Sequence, residues 1–234
     1  MHNVRIPQRV IDSVVTRRGT PHPHADLDPT TTALVVIDLQ NGFMMPGVAH
    51  ALCPTAVEIV PNVNRIADTV RRTGGRVFWI KNTHDDGCLE SWSRMHAMTL
   101  PEKRDIRSAA MRQDTLGHQL WADLDVRPED EMVQKVRYSA FIQGASDLPE
   151  RLVAQGYDTV IIVGTVTNVC CESSARDAMM LNFRTIMVSD ANAANSDEEH
   201  NASLIAFYLT FGDVMSTDVL ITCLERNARD TNAA

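Results

Sequence analysis

Long apolar runs and an excess of positive charge are both missing from this sequence. The longest apolar runs, ALVVI and TVIIV, are far shorter than the roughly 20 residues that a membrane-spanning helix needs. Lys and Arg number 22 against 30 Asp and Glu, which gives a formal net charge of −8. Nucleic acids and anionic membranes are bound through a basic face, so neither is an expected partner. We therefore expect a soluble protein that acts on a small molecule.

Cysteine is also scarce and follows no disulfide framework. The five residues are an odd number without regular spacing, and no signal sequence is recognisable at the N-terminus. This pattern predicts a reducing, cytoplasmic environment. The unusual feature is the adjacent pair Cys170 and Cys171, placed where a strand-like run gives way to a helical pattern.

The length of 234 residues is that of one large domain. Strand-like and helical patterns alternate over residues 31–222, and continuously apolar strands are typical of a parallel sheet buried on both faces. We expect a three-layer α/β/α, Rossmann-like fold with a mostly parallel sheet of about six strands. The segment 213–221, DVMSTDVLI, is predicted as the last strand, and 83–130 as an irregular, partly helical connection.

The two ends of the chain are expected to lie outside this domain. Residues 1–30 show no helical or strand period, which indicates an arm over the body or over a neighbouring subunit. Residues 223–234 are polar and are expected to fray as a tail.

Three reactive side chains stand at the ends of apolar runs. Asp38 follows ALVVI, Lys135 closes EMVQ, and Cys170 opens the helix after TVIIVGTV. Ligands of parallel α/β sheets bind at the carboxyl ends of the strands, so these side chains are expected to meet. Taken singly, each has an ordinary explanation. Asp38 could fix the turn after its strand, Lys135 could be a solvated strand end, and Cys170 could be a small buried residue. Together they supply a thiolate favoured by a helix N-terminus and a cation, with a carboxylate for proton transfer.

The segment GTVTNV before the cysteines suits an oxyanion hole, because a strand-to-helix turn leaves backbone N–H groups unpaired. The motifs VVIDLQNGF at 35–43, KVRYSAF at 135–141 and GTVTNVCCESSARDA at 164–178 resemble, in this order, the isochorismatase-like cysteine hydrolases. The resemblance covers about residues 30–221 and implies that family's hydrolase domain and fold.

The resemblance implies a catalytic triad of Asp38, Lys135 and Cys170, and it implies no cofactor. It further implies a cis peptide between Thr165 and Val166, which would turn the N–H groups of Val166 and Cys170 toward an oxyanion.

The cysteine pair distinguishes branches of the family. Isochorismatases cleave a vinyl ether without the nucleophile, often with glycine at the place of Cys170 and cysteine at that of Cys171. Retention of Cys170 after Thr167 and Asn168 favours the amide hydrolases, with Cys171 as a small core residue. The motifs are most similar to those of ureidoacrylate and N-carbamoyl amidohydrolases, which implies C–N cleavage of a small ureido or primary amide compound through a thioester-type intermediate. Vinyl ether hydrolysis and a nicotinamidase-like amidase with a metal stay open as alternatives.

Six residues near the motifs are candidates for binding the substrate. Gln40 would orient a polar neighbour, Phe43 would form a pocket wall, and Arg94 would either pair with a substrate carboxylate or be an ordinary exposed arginine. The complete set is Gln40, Phe43, Asn82, Trp92, Arg94 and Tyr138.

Nicotinamidase-like members also carry a metal at an Asp-x-His pair after the second strand. Here KNTHDDGCLESWSRMH inverts the pair, with His84 before Asp85 and Asp86. We expect no metal and a polar rim instead; a metal at His84, Asp86 and His96 stays the alternative.

The run LIAFYLTF in the last predicted helix carries more apolar residues than one buried stripe needs. It favours a homo-oligomer, a dimer or tetramer, with a helix buried inside the monomer as the alternative.

Overall fold

The computed structural model describes the backbone of residues 1–233 and the side chains of residues 1–229. Six strands form one sheet in the order β3-β2-β1-β4-β5-β6, and every neighbouring pair is parallel. The strands are β1 (Thr32–Ile37), β2 (Arg76–Asn82), β3 (Glu131–Lys135), β4 (Thr159–Thr165), β5 (Arg184–Ala193) and β6 (Asp213–Met215).

Helices flank this sheet and fill the connections between its strands. Within residues 1–233 they are α1 (Gln8–Arg18), α2 (Asn41–Met44), α3 (Val60–Arg72), α4 (Cys88–Ser91), α5 (Ser93–Ala97), α6 (Pro101–Ala110), α7 (Leu148–Ala154), α8 (Glu172–Met180), α9 (Asp197–Thr210) and α10 (Thr217–Ala233). Over the same residues, none of these helices combines the length and the apolar composition that crossing a bilayer demands.

Strand β1 is buried on both faces and separates two hydrophobic cores. Leu34 and Val36 face the core formed with α3 and α10. Val35 and Ile37 face the core formed with α7, α8 and α9. Alternate side chains of a strand point to opposite faces, so a continuously apolar strand requires helices on both sides. The predicted three-layer α/β/α fold is confirmed, and its sheet is wholly parallel.

The terminal segments are helical, contrary to the expectation of an arm without periodicity and a frayed tail. Val10 and Val14, four residues apart on α1, are buried against the core that includes α9. At the other end, the predicted strand 213–221 is only three residues long, because α10 begins at Thr217 and buries Leu220 and Leu224. The division into arm, domain and tail stays a prediction.

The long connection 83–130 is partly helical, as expected, and folds back onto the sheet. Its start is held to its middle, after α6, where the His84 N–H donates to Met111 O (3.0 Å). It then reaches β1, since the Trp121 N–H donates to Leu39 O (2.9 Å). The connection therefore covers the carboxyl ends of β1 and β2.

Candidate active site

Asp38, Lys135 and Cys170 meet at the carboxyl ends of β1, β3 and β4. Lys135 Nζ lies 2.8 Å from Asp38 Oδ2, and both side chains are completely buried. The Cys170 side chain lies close enough to both for their charges to act on its thiol. Lys135 Nζ also donates to Arg137 O (2.9 Å), which fixes the direction of the ammonium group. The arrangement brings together a nucleophile, a carboxylate and a cation.

Burial dominates the protonation of this cluster. It raises the pKa of Asp38 despite the neighbouring Lys135. It also raises the pKa of Cys170 to about 12, with Lys135 acting in the opposite direction. For Lys135 burial alone would lower the pKa, but Asp38 and Cys170 raise it above its usual value. Burial therefore favours the neutral thiol of Cys170, with the carboxylate of Asp38 beside it and able to take its proton.

A buried histidine, His200, hydrogen-bonds to the turn that carries Cys170. Cys170 lies in a single π-helical turn, Thr167–Cys171, directly before α8. His200 Nε2 lies 2.9 Å from the Ser189 carbonyl oxygen and must donate to it. Burial lowers the pKa of His200 to about 4, so the ring is neutral and its Nδ1 accepts from the Thr167 hydroxyl (2.9 Å).

The approach to this turn requires glycine. Gly164 has φ +125°, and a Cβ there would stand 2.1 Å from Ile37 O of the adjacent strand. The next peptide, between Thr165 and Val166, is cis, as the resemblance implied.

Cys171 faces the interior. It has no solvent exposure and belongs to the core under α7, α8 and α9. Burial raises its pKa well above the usual thiol value. Its placement agrees with the expected role of a small core residue.

A cavity of about 260 Å³ opens onto Cys170. Four of the predicted substrate-binding residues line it: Phe43, Asn82, Trp92 and Tyr138. Val166, predicted for the oxyanion hole, lines it too. The rings of Trp92 and Tyr138 pack edge to face with centroids 4.7 Å apart, which fixes one wall.

The other two predicted residues are placed differently. Gln40 is completely buried beneath the cavity, where its Oε1 accepts from the Asn82 N–H (2.8 Å) and its Nε2 donates to Asn82 O (3.2 Å). It therefore orients Asn82, in line with the expected orienting role. Arg94 is exposed on α5 and does not line the cavity, which favours the ordinary interpretation of this arginine.

Eight further residues line the cavity that were not among the predicted catalytic, oxyanion-hole or substrate-binding residues. Arg107 comes from α6, and nothing in the local sequence distinguished it from the other arginines of the connection. Asn168, by contrast, lies in the recognised motif beside the nucleophile and could have been identified there. The eight are His50, Ala51, His84, Arg107, Asn168, Val169, Asn195 and Glu199.

The region considered for a metal contains a different donor set from the one inferred. Asp86 is exposed and pairs with Arg112, so it lies apart from the two histidines. Cys88 instead lies with His84 and His96, and all three are buried, with ligand atoms within 4.8 Å of one another. Two imidazoles and a thiol are donors suited to a borderline-soft metal such as zinc.

Comparisons with known proteins identify the family of this chain. The isochorismatase domain family model matches residues 32–219. Ureidoacrylate amidohydrolase RutB of Caulobacter vibrioides is 30% identical over 204 residues, covering 82% of this chain and 90% of the relative. Nicotinamidase 3 of Arabidopsis thaliana is 33% identical over 199 residues, covering 82% and 89%.

A solved structure shows the same fold. The cysteine hydrolase from Pseudomonas syringae pv. phaseolicola superposes with a TM-score of 0.77 at 27% identity, covering 86% of this chain and 96% of the other. Since the family model spans most of the sequence and includes the buried Asp38, Lys135 and Cys170 cluster, the chain belongs to the isochorismatase family and is an enzyme of its cysteine hydrolase group, a hydrolase of non-peptide C–N bonds.

Proposed function

We propose that this hydrolase is a cysteine-dependent amidohydrolase for a small ureido (N-carbamoyl) or primary amide compound, with a ureidoacrylate-like substrate favoured. The observation that carries the proposal is that Cys170 forms part of the cavity wall while contacting the buried Asp38–Lys135 pair. No organic cofactor is required for this chemistry.

The first step is attack of Cys170 sulfur on the carbonyl carbon. Because the thiol is neutral at rest, Asp38 removes its proton as the S–C bond forms. Lys135 stays protonated and offsets the negative charge passed between Asp38 and Cys170. The carbonyl oxygen becomes an oxyanion at the backbone N–H groups of Val166 and Cys170, where losing one donor typically costs about 10²–10³ in rate.

In the second step the protonated Asp38 gives its proton to the leaving nitrogen, and the C–N bond breaks. The acyl or carbamoyl group remains on sulfur as a thioester-type intermediate. Asp38 then takes a proton from water, whose oxygen attacks the carbonyl carbon of the intermediate. The S–C bond breaks, the carboxylic or carbamic acid leaves, and Asp38 returns the proton to the sulfur. Enzyme and protonation state are thereby restored.

Two unpaired amide oxygens support a substrate that carries N–H groups. Within the described part of the chain, Oδ1 of Asn82 and Oδ1 of Asn168 are buried without a hydrogen-bond partner, and both residues line the cavity. Buried acceptors without donors are costly, so a ureido or amide –NH₂ is a suitable occupant. The similarity to a ureidoacrylate amidohydrolase favours the ureido group.

A nicotinamidase-like amidase with a metal is the second candidate. The similarity to nicotinamidase 3 and the cluster of His84, Cys88 and His96 favour it. Vinyl ether hydrolysis is the third candidate, and retention of Cys170 argues against it.

The deciding experiment measures ammonia release from ureidoacrylate, N-carbamoyl amino acids and nicotinamide, with isochorismate turnover followed separately. We expect release from a ureido compound by the wild type, and a loss of at least about 10³-fold in Cys170→Ser. Cys171→Ala is the matched control and should keep most of the activity, because Cys171 faces the core. Release from nicotinamide alone would select the second candidate. Activity that survives Cys170→Ser, or turnover of isochorismate alone, would overturn the covalent mechanism.

We further propose that the enzyme works in the cytoplasm as a homo-oligomer. All five cysteines are unpaired and buried, which suits a reducing environment. The oligomeric state is measured directly by light scattering on the purified protein.

A further inference from the structure

One arginine, Arg107 of α6, lines the cavity that opens onto Cys170. Its side chain is partly buried. Within residues 1–229 no carboxylate pairs with it, and its side chain donates instead to the thioether of Met95 (Nη1 to Sδ, 2.9 Å). A guanidinium has five N–H donors and a thioether is a weak acceptor, so most of the hydrogen-bonding capacity of Arg107 is free for a ligand.

The neighbouring arginines are paired differently. Arg104, one turn earlier on α6, pairs with Asp105, and Arg112 pairs with Asp86. Neither arginine lines the cavity. A guanidinium that faces a cavity without a carboxylate of its own is suited to bind an anionic group from outside the chain.

Three imidazoles lie near this guanidinium and do not duplicate its charge. Burial, with the Arg107 charge as a smaller cause, lowers the pKa of His50 to about 3 and that of His84 to about 4. The pKa of His96 is lowered by burial first and then by Arg107. All three rings are thus neutral near pH 7, and the positive charge at this wall of the cavity belongs to Arg107.

The remaining polar groups of the cavity suit the other end of a substrate. Oδ1 of Asn82 and Oδ1 of Asn168 are buried without a donor among residues 1–229, and they can accept from ureido or amide N–H groups. Glu199 lines the cavity from α9 and would repel a carboxylate placed beside it. The volume of about 260 Å³ is below the roughly 300–1,000 Å³ of typical small-molecule sites, so the substrate is small.

We propose that Arg107 determines the specificity of this enzyme: its guanidinium binds a carboxylate of the substrate while the ureido or amide carbonyl lies at Cys170. The preferred substrates are then ureido acids and N-carbamoyl amino acids. Arg107 takes the role that the sequence suggested for Arg94, which is exposed and outside the cavity. The inference rests on the proposed amidohydrolase function, because it assumes that a C–N bond is cleaved at Cys170.

The first test measures binding without turnover, in full-length protein that carries Cys170→Ser. The acidic probe is 3-ureidopropionate, and its neutral counterpart is propylurea, in which a methyl group replaces the carboxylate. By isothermal titration calorimetry we expect Arg107→Gln to weaken binding of 3-ureidopropionate by about 10–100-fold, the range for loss of hydrogen bonds to a charged group. Propylurea should bind equally weakly with and without Arg107. Arg107→Lys should fall between, because an ammonium keeps the charge but not the two-pronged contact.

Arg104→Gln is the matched control, since it removes an equal charge from the same helix outside the cavity. It should bind 3-ureidopropionate as the parent protein does. An unchanged affinity in Arg107→Gln overturns the proposal, and so does an equal loss in Arg104→Gln. A parent protein that binds propylurea as tightly as 3-ureidopropionate, or binds neither, overturns it as well.

Kinetics with Cys170 intact separate this proposal from the proposed function. Arg107→Gln should raise KM for ureidoacrylate by about 10–100-fold with a smaller change in kcat, because the carboxylate is bound in the ground state and the transition state alike. If ureido acids are hydrolysed with Arg107 having no effect, the amidohydrolase assignment stands and this proposal is wrong. If no ureido or amide compound is hydrolysed but binding of 3-ureidopropionate depends on Arg107, the proposed function is wrong and the carboxylate contact stands.

Discussion

At the scale of single residues, the protonation of Asp38 governs the chemistry. A base must be ionised to accept the proton of Cys170, and burial favours the neutral acid. The same burial raises the pKa of Cys170 to about 12 and so favours the thiol. The ion pair with Lys135 then has to hold Asp38 in its ionised form at working pH.

On the acid side of its pH profile, kcat/KM should therefore fall at a higher pH than the ordinary pKa of an aspartate would give. The pKa of Asp38 is raised above its ordinary value of 3.8, so the base becomes protonated, and activity falls, as pH drops through that raised pKa. A pH profile on the best substrate of the panel measures this limb. A limb at or below 3.8 in an otherwise folded protein would contradict the assignment of Asp38 as the base.

At the scale of secondary-structure elements, Asp130 joins α3, β2 and the turn before β3. Its carboxylate accepts from Arg71 Nε (2.9 Å) and Nη2 (2.7 Å), from Trp79 Nε1 (2.8 Å) and from the Arg127 N–H (2.9 Å). The strand that follows ends at Lys135 of the triad. The network thus anchors the start of β3, the strand whose other end carries Lys135.

Asp130→Asn should lower the free energy of unfolding by about 1–3 kcal/mol, because it removes one of the two carboxylates that pair with the buried Arg71 and leaves only the half-exposed Asp125. Although burial alone would raise it, hydrogen bonds from Arg71, Arg127 and Trp79 hold the pKa of Asp130 below its usual range. The stabilisation is therefore present above the unfolded value of 3.8 and disappears as pH falls through the lower folded pKa. Urea unfolding at neutral pH measures the difference.

The matched control is Asp218→Asn, which removes the exposed partner of Arg65. An exposed pair contributes about 0–1 kcal/mol, so this variant should unfold nearly like the wild type. Equal losses in Asp130→Asn and Asp218→Asn would contradict the structural role of the Asp130 network.

At the scale of the whole molecule, α1 belongs to the folded body. It covers part of α9, the helix whose apolar run suggested a neighbouring subunit. Arg18 adds a second tie, since its Nη1 donates to Gly212 O (2.7 Å). The extra apolar residues of α9 are thus partly explained within one chain, and the homo-oligomer stays a prediction that no longer depends on them.

Val14→Asp tests this docking. Val14 has no solvent exposure, and a buried carboxylate without a partner should lower the free energy of unfolding by more than about 2 kcal/mol. The neighbouring Val15 is 37% exposed, so Val15→Asp should change it by no more than about 0.5 kcal/mol. Thermal melts of the two variants give the comparison. Equal melting temperatures for the two variants would mean that α1 is a detachable arm and not part of the folded body.

Local sequence was a reliable guide where the signal is itself local. Apolar runs such as ALVVI identify strands buried on both faces, and the residues that end them, Asp38 and Lys135, share one edge of a parallel sheet by geometry. At residues 213–221 the local sequence was instead a misleading guide. Its Val, Ile and Thr residues favour a strand, but Leu220 and Leu224 bury against the core beside α3 as a helix, and packing outweighs propensity.

The parallel α/β fold, the reactive side chains at the strand ends and the family could thus be predicted from the sequence alone, because each rests on a local signal: an apolar run, the residue that ends it, or a short motif. Only the tertiary structure brings Arg107 into the cavity and replaces Asp86 by Cys88 beside two histidines, since the path of the 83–130 connection has no period to predict it from. It also decides that Cys170 rests as a thiol. Burial is a property of the assembled layers, and here it outweighs the nearby cation of Lys135.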